Sequence, residues 1–479
     1  MIEWLSMAWP HLAAALVLAI DLWAAGHAIL YKRDPRSATT WIGVILLFPV
    51  AGAALYFFLG INRIQRRAIL LRHRVGSAVQ APADAGCATP QLGAALDDLR
   101  PLARAVHRIT GAPLVGGNAL HPLRNGDEAY PAMLEAINRA TSSITLSTYI
   151  FAHDRTGLSF ADALGAAVAR GVEVRVLIDD VGARYSFPTI YGALHKRGVR
   201  VAAFIPTFFH WRMPYINLRN HRKILVIDGV TGFTGGINIR HNNVIADNGR
   251  DAVQDLHFRV EGPVVSQLQQ IFAEDWAFTT GERLAGAPWF AAPPARGEIL
   301  ARGIPDGPDE DRDKLRSVIL AALACARSRV RIATPYFLPD ASIVSALNTC
   351  VARGVDVEII IPQKINLRTV GWACQAQLWQ VVERGCRVWR TPPPFDHSKI
   401  FVVDDAWSLI GSGNWDARSL RLNFEFNLEC YSPQFAADLN ARLDEKIASA
   451  RETTLAELDA RPLPVRLRDG IARLFWPYL

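Results

Sequence analysis

Two stretches of this chain carry one pattern at one internal spacing. His221-Arg222-Lys223-Ile224-Leu225-Val226-Ile227-Asp228 and His397-Ser398-Lys399-Ile400-Phe401-Val402-Val403-Asp404 both read H-x-K-x-x-x-x-D. Asn238 and Asn414 each follow their His by 17 residues. In both copies His and Lys bracket one residue at the start of an apolar run, so strand alternation sends the two side chains to one face. A histidine can attack or shuttle a proton, while a lysine ammonium or an asparagine amide can hold an anion. A single H-x-K string is usually a surface strand with two polar residues. Two at equal spacing make a duplicated half-site that the fold has to bring together.

The duplication extends beyond the motifs. Ala169–Ile178 (A-R-G-V-E-V-R-V-L-I) matches Ala352–Ile361 (A-R-G-V-D-V-E-I-I-I), and Tyr149-Ile150-Phe151 matches Tyr336-Phe337-Leu338. Apolar periodicity predicts a helix over 128–139, a strand over 144–151, a helix over 158–170 stopped by Gly171, a strand over 172–178 and a helix over 189–197 stopped by Gly198. The second half repeats this, with strands over 330–334 and 355–361 and helices over 342–353 and 369–384 stopped by Gly354 and Gly385. Strands alternating with helices point to two α/β domains. The expected division is 1–75 as a membrane hairpin with a basic tail, 76–108 as a linker, 109–285 as the first domain, and 286–479 as the second with a C-terminal helix.

At 479 residues the chain exceeds one ordinary core, and 50% of its residues are hydrophobic. Leu12–Tyr31 is an apolar run of bilayer-spanning length, interrupted by Asp21 and His27. Trp41–Leu59 is a second run without charge, broken by Gly43, Pro49 and Gly52. The head of the chain has no Lys or Arg and a second run follows, so a retained hairpin fits better than a signal peptide. Lys32, Arg33 and Arg36 lie between the runs; Arg63, Arg66, Arg67, Arg72 and Arg74 follow them, placing the downstream part on the cytoplasmic side. The net charge of +7 favours anionic partners. Six cysteines lack zinc-ligand or C-x-x-C spacing, and the twelve histidines form no H-x-x-x-H pattern, so neither a metal nor another cofactor is expected.

Two further segments each fit two readings. Phe208, Phe209, Trp211 and Tyr215, with Arg212 and Arg219, form an aromatic and basic loop before the first motif, suited to a membrane interface or to packing on the neighbouring domain. Leu467, Ile471, Leu474, Phe475 and Trp476 recur at helix-like spacing among Arg466, Arg468 and Arg473, suited to an interfacial helix or a docked terminal one.

The paired motifs with their trailing G-G-x-N and G-S-x-N resemble the phospholipase D superfamily, over roughly residues 111–432. The N-terminal hairpin, Arg219-Asn220-His221-Arg222-Lys223, Thr334-Pro335-Tyr336-Phe337, and Arg418-Ser419 through Asn423 and Glu425 are similar to bacterial cardiolipin synthases and extend the likeness over nearly the whole chain. The resemblance implies two tandem α/β domains about a pseudo-two-fold axis and phosphodiester exchange through a phosphohistidine. It implies His221 as nucleophile and His397 as acid and base, an order that near-symmetry leaves open. Lys223, Lys399, Asn238 and Asn414 would neutralise the phosphoryl oxygens. In the family Asp228 and Asp404 brace the motif loop, and the orienting carboxylates come from further on, where Asp255 and Glu425 match. Many relatives carry Trp two residues before the first of these acids, where this chain has Val253.

By the same resemblance the reaction joins two phosphatidylglycerol molecules at the bacterial inner membrane, with other anionic phospholipids as partners and no nucleic acid. A phospholipase D-type hydrolase or nuclease would use the same histidines, but the apolar N-terminus has no purpose in a soluble nuclease. A non-catalytic lipid-binding scaffold would not need both motif sets intact.

Overall fold

The computed structural model describes residues 2–32, 35–60, 92–206, 218–308, 311 and 313–475. The chain forms two compact units, Met1–Ala68 and Ile69–Leu479.

In the first unit, Ile2–Tyr31 is one continuous helix. Its stretch Trp9–Tyr31 is long and apolar enough to cross a membrane. The second apolar run, expected as the other arm of a hairpin and broken by Gly43, Pro49 and Gly52, is not one helix. It divides into Pro35–Leu47, Ala51–Leu55 and a last turn Tyr56–Gly60. Pro49 lacks an N–H and its ring clashes with the preceding turn, which ends the helix there. Val50 then adopts φ 66°, and its N–H is taken by the buried Asp21 carboxylate at 3.2 Å. Asp21, an interruption in the first apolar run, thus satisfies the break in the second. His27 pairs with the Tyr56 hydroxyl at 2.8 Å, so this buried tyrosine also has a polar partner. The basic residues from Arg63 to Arg74 lie outside the described residues.

The second unit is built on one fifteen-stranded sheet. Its first lobe supplies β1 (Val115–Arg124), β2 (Ser143–Thr148), β3 (Glu173–Asp179), β4 (Arg200–Phe204), β5 (Ile224–Ile227), β6 (Thr231–Gly235), β7 (Val253–Gln254) and β8 (Leu256–Glu261). The second lobe supplies β9 (Ile299–Asp306), β10 (Arg329–Ala333), β11 (Asp356–Pro362), β12 (Arg387–Thr391), β13 (Phe395–Asp396), β14 (Ile400–Val403), β15 (Trp407–Gly411), β16 (Glu425–Tyr431) and β17 (Arg451–Glu452). The strand order is β17-β12-β11-β10-β14-β15-β16-β9-β1-β8-β6-β5-β2-β3-β4, with β7 and β13 forming a separate two-stranded sheet. Apart from the edge strand β17 it reads the same outward from the β9–β1 junction, with β16 opposite β8, β14 opposite β5 and β10 opposite β2. The pseudo-two-fold axis passes through that antiparallel junction.

Helices Asn125–Arg139 and Arg155–Ala169 cover the first lobe, and Lys314–Cys325 and Ala341–Ala352 the second. The glycines expected to stop helices, Gly171, Gly198, Gly354 and Gly385, all take positive φ just past a helix end. A third core joins the lobes: Ile224, Val226, Val265 and Leu268 pack in one cluster with Ile400, Val402, Phe435 and Leu439. Both motif strands are therefore buried on both faces, which is why they read as unbroken apolar runs.

One expectation for a chain segment changes. Residues 92–108 are not linker: Ala94–Leu99 and Arg100–Thr110 are helical, and Leu96, Leu99, Leu102 and Val106 bury against Leu315 and Ile319 of the second lobe. The composition of the segment hides the apolar spacing of its last half. The aromatic loop residues Phe208 to Tyr215 lie outside the described residues. At the C-terminus, helix Leu463–Leu474 buries Asp469 and Ala472, while Leu463, Leu467, Ile471 and Leu474 stay exposed.

Each motif strand ends in a tight hairpin whose first residue is the motif aspartate, at φ 52° in both copies. Asp228 accepts the N–H groups of Thr141, Ser142 and Ser143 and the hydroxyls of Thr141 and Ser142. Asp404 accepts the N–H groups of Arg327, Ser328 and Arg329 and the Ser328 hydroxyl. Each ties its hairpin to the start of the neighbouring strand. Asp228→Ala and Asp404→Ala are expected to cost roughly 1–3 kcal/mol each, the penalty for orphaned donors, seen as a lower urea midpoint. An unchanged midpoint with abolished turnover would place these carboxylates in the chemistry instead.

Candidate active site

The motif histidines sit where the lobes exchange backbone. The His221 N–H donates to the Phe424 carbonyl at 2.9 Å, and Phe424 N–H returns a bond to the Arg219 carbonyl at 2.8 Å. Symmetrically, the His397 N–H donates to the Gln254 carbonyl at 2.7 Å, beside the parallel β7–β13 pair that links Val253 to Phe395. In both cases the residue after the accepting carbonyl is an acid. That register delivers Glu425 to His221 and Asp255 to His397.

His221 Nδ1 lies 3.0 Å from Glu425 Oε2, and His397 Nδ1 lies 2.7 Å from Asp255 Oδ2. A carboxylate can only accept, so each Nδ1 carries a proton and each Nε2 keeps its lone pair. Glu425 is held in turn by the Ser412 hydroxyl at 2.5 Å and the Asn423 amide at 3.2 Å. In the first lobe Gly236 occupies the place of Ser412. A Cβ there would stand 2.3 Å from the Asp255 carboxylate, so the shorter acid requires the glycine.

Both imidazoles line one cavity of about 540 Å³, together with Asn238, Asn414, Tyr149 and Tyr336. Tyr149 meets His221 edge-on at 5.3 Å, and Tyr336 meets His397 at 6.2 Å. These aromatics belong to the matched Y-I-F and Y-F-L pieces of the repeat, which was the signal for them in the sequence. Asn238 Oδ1 accepts the Ile150 N–H at 3.1 Å, whereas Asn414 Oδ1 is buried with no hydrogen bond. Val253 lines the cavity as well.

The lysines stand directly behind the imidazoles. Lys223 Nζ donates to the His221 carbonyl at 2.7 Å, and Lys399 Nζ donates to the His397 carbonyl and lies 3.8 Å from Asp255. Asp228 and Asp404, grouped with the catalytic residues in the sequence, do not join the cavity. Four strand residues lie between each and its lysine, so five steps at 3.3 Å put them about 16 Å away along the strand.

Burial governs the electrostatics. It lowers the His397 pKa to about 4, with the Lys399 ammonium acting in the same direction against Asp255. It lowers His221 too, opposed by Glu425. Burial also brings Lys223 down to about 7 and depresses Lys399. Glu425 stays below its ordinary value: burial pushes it up, but His221, Lys223 and Ser412 outweigh that. At neutral pH the depressed histidines are therefore neutral, and the local positive charge rests on the lysines, of which Lys223 is about half protonated. Among the described residues no group of three His, Cys, Asp or Glu side chains could hold a metal ion.

The arrangement is suited to a phosphodiester: two imidazoles and two amides line one cavity, with two buried lysines beside the imidazoles. Comparison with known proteins agrees. The family model described as "Cardiolipin synthase, PLD-like domain" matches residues 133–276 and 319–447, and a phospholipase D-nuclease N-terminal model matches residues 19–60. The chain is 32% identical to cardiolipin synthase A of Pseudomonas fluorescens, over 98% of this chain and 99% of that one. It is 32% identical to a cardiolipin synthase of Geobacillus thermodenitrificans, over 94% and 90%. In fold it resembles the crystal structure of phosphatidylserine synthase from Haemophilus influenzae, with TM-score 0.60, 18% identity, and coverage of 79% of this chain and all of that one. With both halves matched in register around the paired histidines, the chain belongs to the family of phospholipase D-like cardiolipin synthases.

Proposed function

We propose that this protein transfers a phosphatidyl group from one phosphatidylglycerol to another, forming cardiolipin and releasing glycerol. The observation that carries the reading is the pair of carboxylate-held imidazoles lining one cavity in a chain matched almost end to end by cardiolipin synthases.

His221 Nε2 attacks the phosphorus of the first lipid. The bond to the glycerol oxygen breaks, and His397 supplies that oxygen with a proton, leaving a phosphatidyl-histidine. His397 is neutral in the empty site, so it has to gain this proton on substrate binding. The incoming phosphodiester anion offsets the lysine charges that depress it, which raises its pKa. A hydroxyl of the second phosphatidylglycerol then gives its proton to His397 and attacks phosphorus as the P–N bond breaks. Lys223 and Lys399 trade their backbone carbonyls for phosphoryl oxygens, with Asn238 and Asn414 alongside, and this charge stabilisation supplies what a metal would otherwise provide. The apolar N-terminal helix holds the enzyme in the membrane where both substrates are concentrated. The arginines at 63–74 place the catalytic unit at the cytoplasmic face of the inner membrane.

Full-length protein in phosphatidylglycerol vesicles is expected to release glycerol and form cardiolipin at a rate that chelator leaves unchanged. Phosphatidic acid as sole product would make it a hydrolase, and loss of activity with chelator would refute the metal-free scheme. His221→Ala and His397→Ala are each expected to lower turnover by about a thousandfold; a variant within about tenfold of the parent rate would contradict the two-imidazole mechanism.

The pH dependence follows from the free enzyme. Attack needs His221 neutral, which holds above its depressed pKa, and phosphate binding needs Lys223 charged, which is lost as pH rises through about 7. A bell-shaped profile of kcat/KM is expected, rising at acid pH and falling above about pH 7. Activity still climbing at strongly alkaline pH would show that the lysine charge is not needed.

A further inference from the structure

Two arginines flank His221 in sequence, and the structure treats them in opposite ways. Arg222 points away from the cavity and spends its guanidinium on the Glu425 carbonyl at 3.0 Å, Asp275 at 2.6 Å and the Asp306 carbonyl at 3.2 Å. Arg219 lines the cavity, yet its side chain is only 4% exposed and neither terminal nitrogen has a hydrogen-bond partner. Its nearest acid, Asp179, is 3.8 Å away and is already committed to the N–H groups of Val181, Gly182 and Asn220. A buried guanidinium without hydrogen bonds is costly unless a ligand completes it. Arg418 lines the same cavity. The equivalent place in the second lobe, two residues before His397, holds Phe395. Arg240 lines the cavity as well, but the place equivalent to Arg219 is aromatic, so the two-fold symmetry of the site is broken at this position.

We propose that Arg219, with Arg418 beside it, forms a second anion subsite that holds the phosphate of the acceptor lipid while its hydroxyl attacks the phosphatidyl-histidine. This rests on the transferase reading above and adds what selects the acceptor. The chemistry fixes the spacing: three carbons and two oxygens join the two phosphorus atoms of the product, which lie at most about 7 Å apart at standard bond lengths. Arg219 and His221 project from alternate residues of one extended segment, about 6.6 Å apart along it. That backbone spacing is of the same order as the tether, and both side chains line the same cavity. Water and free glycerol carry no such phosphate and gain nothing from the subsite. In the transfer the acceptor O–P bond forms, the N–P bond breaks, and the hydroxyl proton passes to the acid–base imidazole.

The test compares acceptors on the full-length enzyme in phosphatidylglycerol vesicles. Offered equal labelled glycerol and glycerol phosphate, the parent enzyme is expected to transfer mainly to glycerol phosphate; equal use or a preference for glycerol overturns the subsite without any variant. Arg219→Gln is expected to lower cardiolipin formation about tenfold or more relative to labelled-glycerol exchange into phosphatidylglycerol, with Arg219→Lys between the two. An unchanged ratio of the two rates overturns the assignment. A parent enzyme that neither exchanges glycerol nor forms cardiolipin overturns the transferase reading itself, a result distinct from exchange with no acceptor preference.

Discussion

Each imidazole in this protein is oriented by the lobe to which it does not belong. A backbone bond from His221 to Phe424, and from His397 to Gln254, sets the register of the exchange. The next residue along, Glu425 or Asp255, then reaches the Nδ1 of that same histidine. Neither lobe holds a complete site alone. The duplication is therefore what completes the site, because each lobe's imidazole takes its carboxylate from the other. The continuous sheet through the β9–β1 junction and the shared core behind the motif strands tie the two lobes together.

The energetic cost of this arrangement is concentrated in the same place. Two imidazoles, two ammonium groups and two carboxylates are withdrawn from water, and ionised groups are expensive to bury unless paired. Neutral histidines leave the charges balanced, lysines against acids. The balance is not slack, since burial, with the Lys399 charge acting in the same direction, brings Lys223 down to about 7 against the pull of Glu425. A negative charge placed beside the lysines would stabilise their charged form and raise the histidine pKa values.

Much of this was legible in the chain. The equal His–Asn spacing, the repeated A-R-G-V pieces and the helix-stopping glycines mark the duplication and the α/β lobes, because strand and helix periods and left-handed turns are local properties. What escaped is non-local. Strands β1 and β9, which join the lobes, carry no apolar run that distinguishes them. Residues 92–108 look like linker until Leu315 and Ile319 are placed opposite them. The break at Pro49 was visible as a residue, but its repair by Asp21 depends on two helices lying side by side. The bracing role of Asp228 and Asp404 was implied by the resemblance, but the backbone N–H groups that they hold, at 141–143 and 327–329, lie far off in the chain. The different roles of Arg219 and Arg222 depend on which way adjacent side chains point and what each then meets.

The reciprocal pairing can be observed directly by nitrogen-15 spectra of histidine-labelled protein, with the two active-site resonances assigned through His221→Gln and His397→Gln. Glu425→Gln should shift the Nδ1 signal of His221 and leave that of His397 in place, and Asp255→Asn should do the reverse. If each substitution instead moves the histidine of its own lobe, the lobes do not exchange carboxylates and the account of the site is wrong.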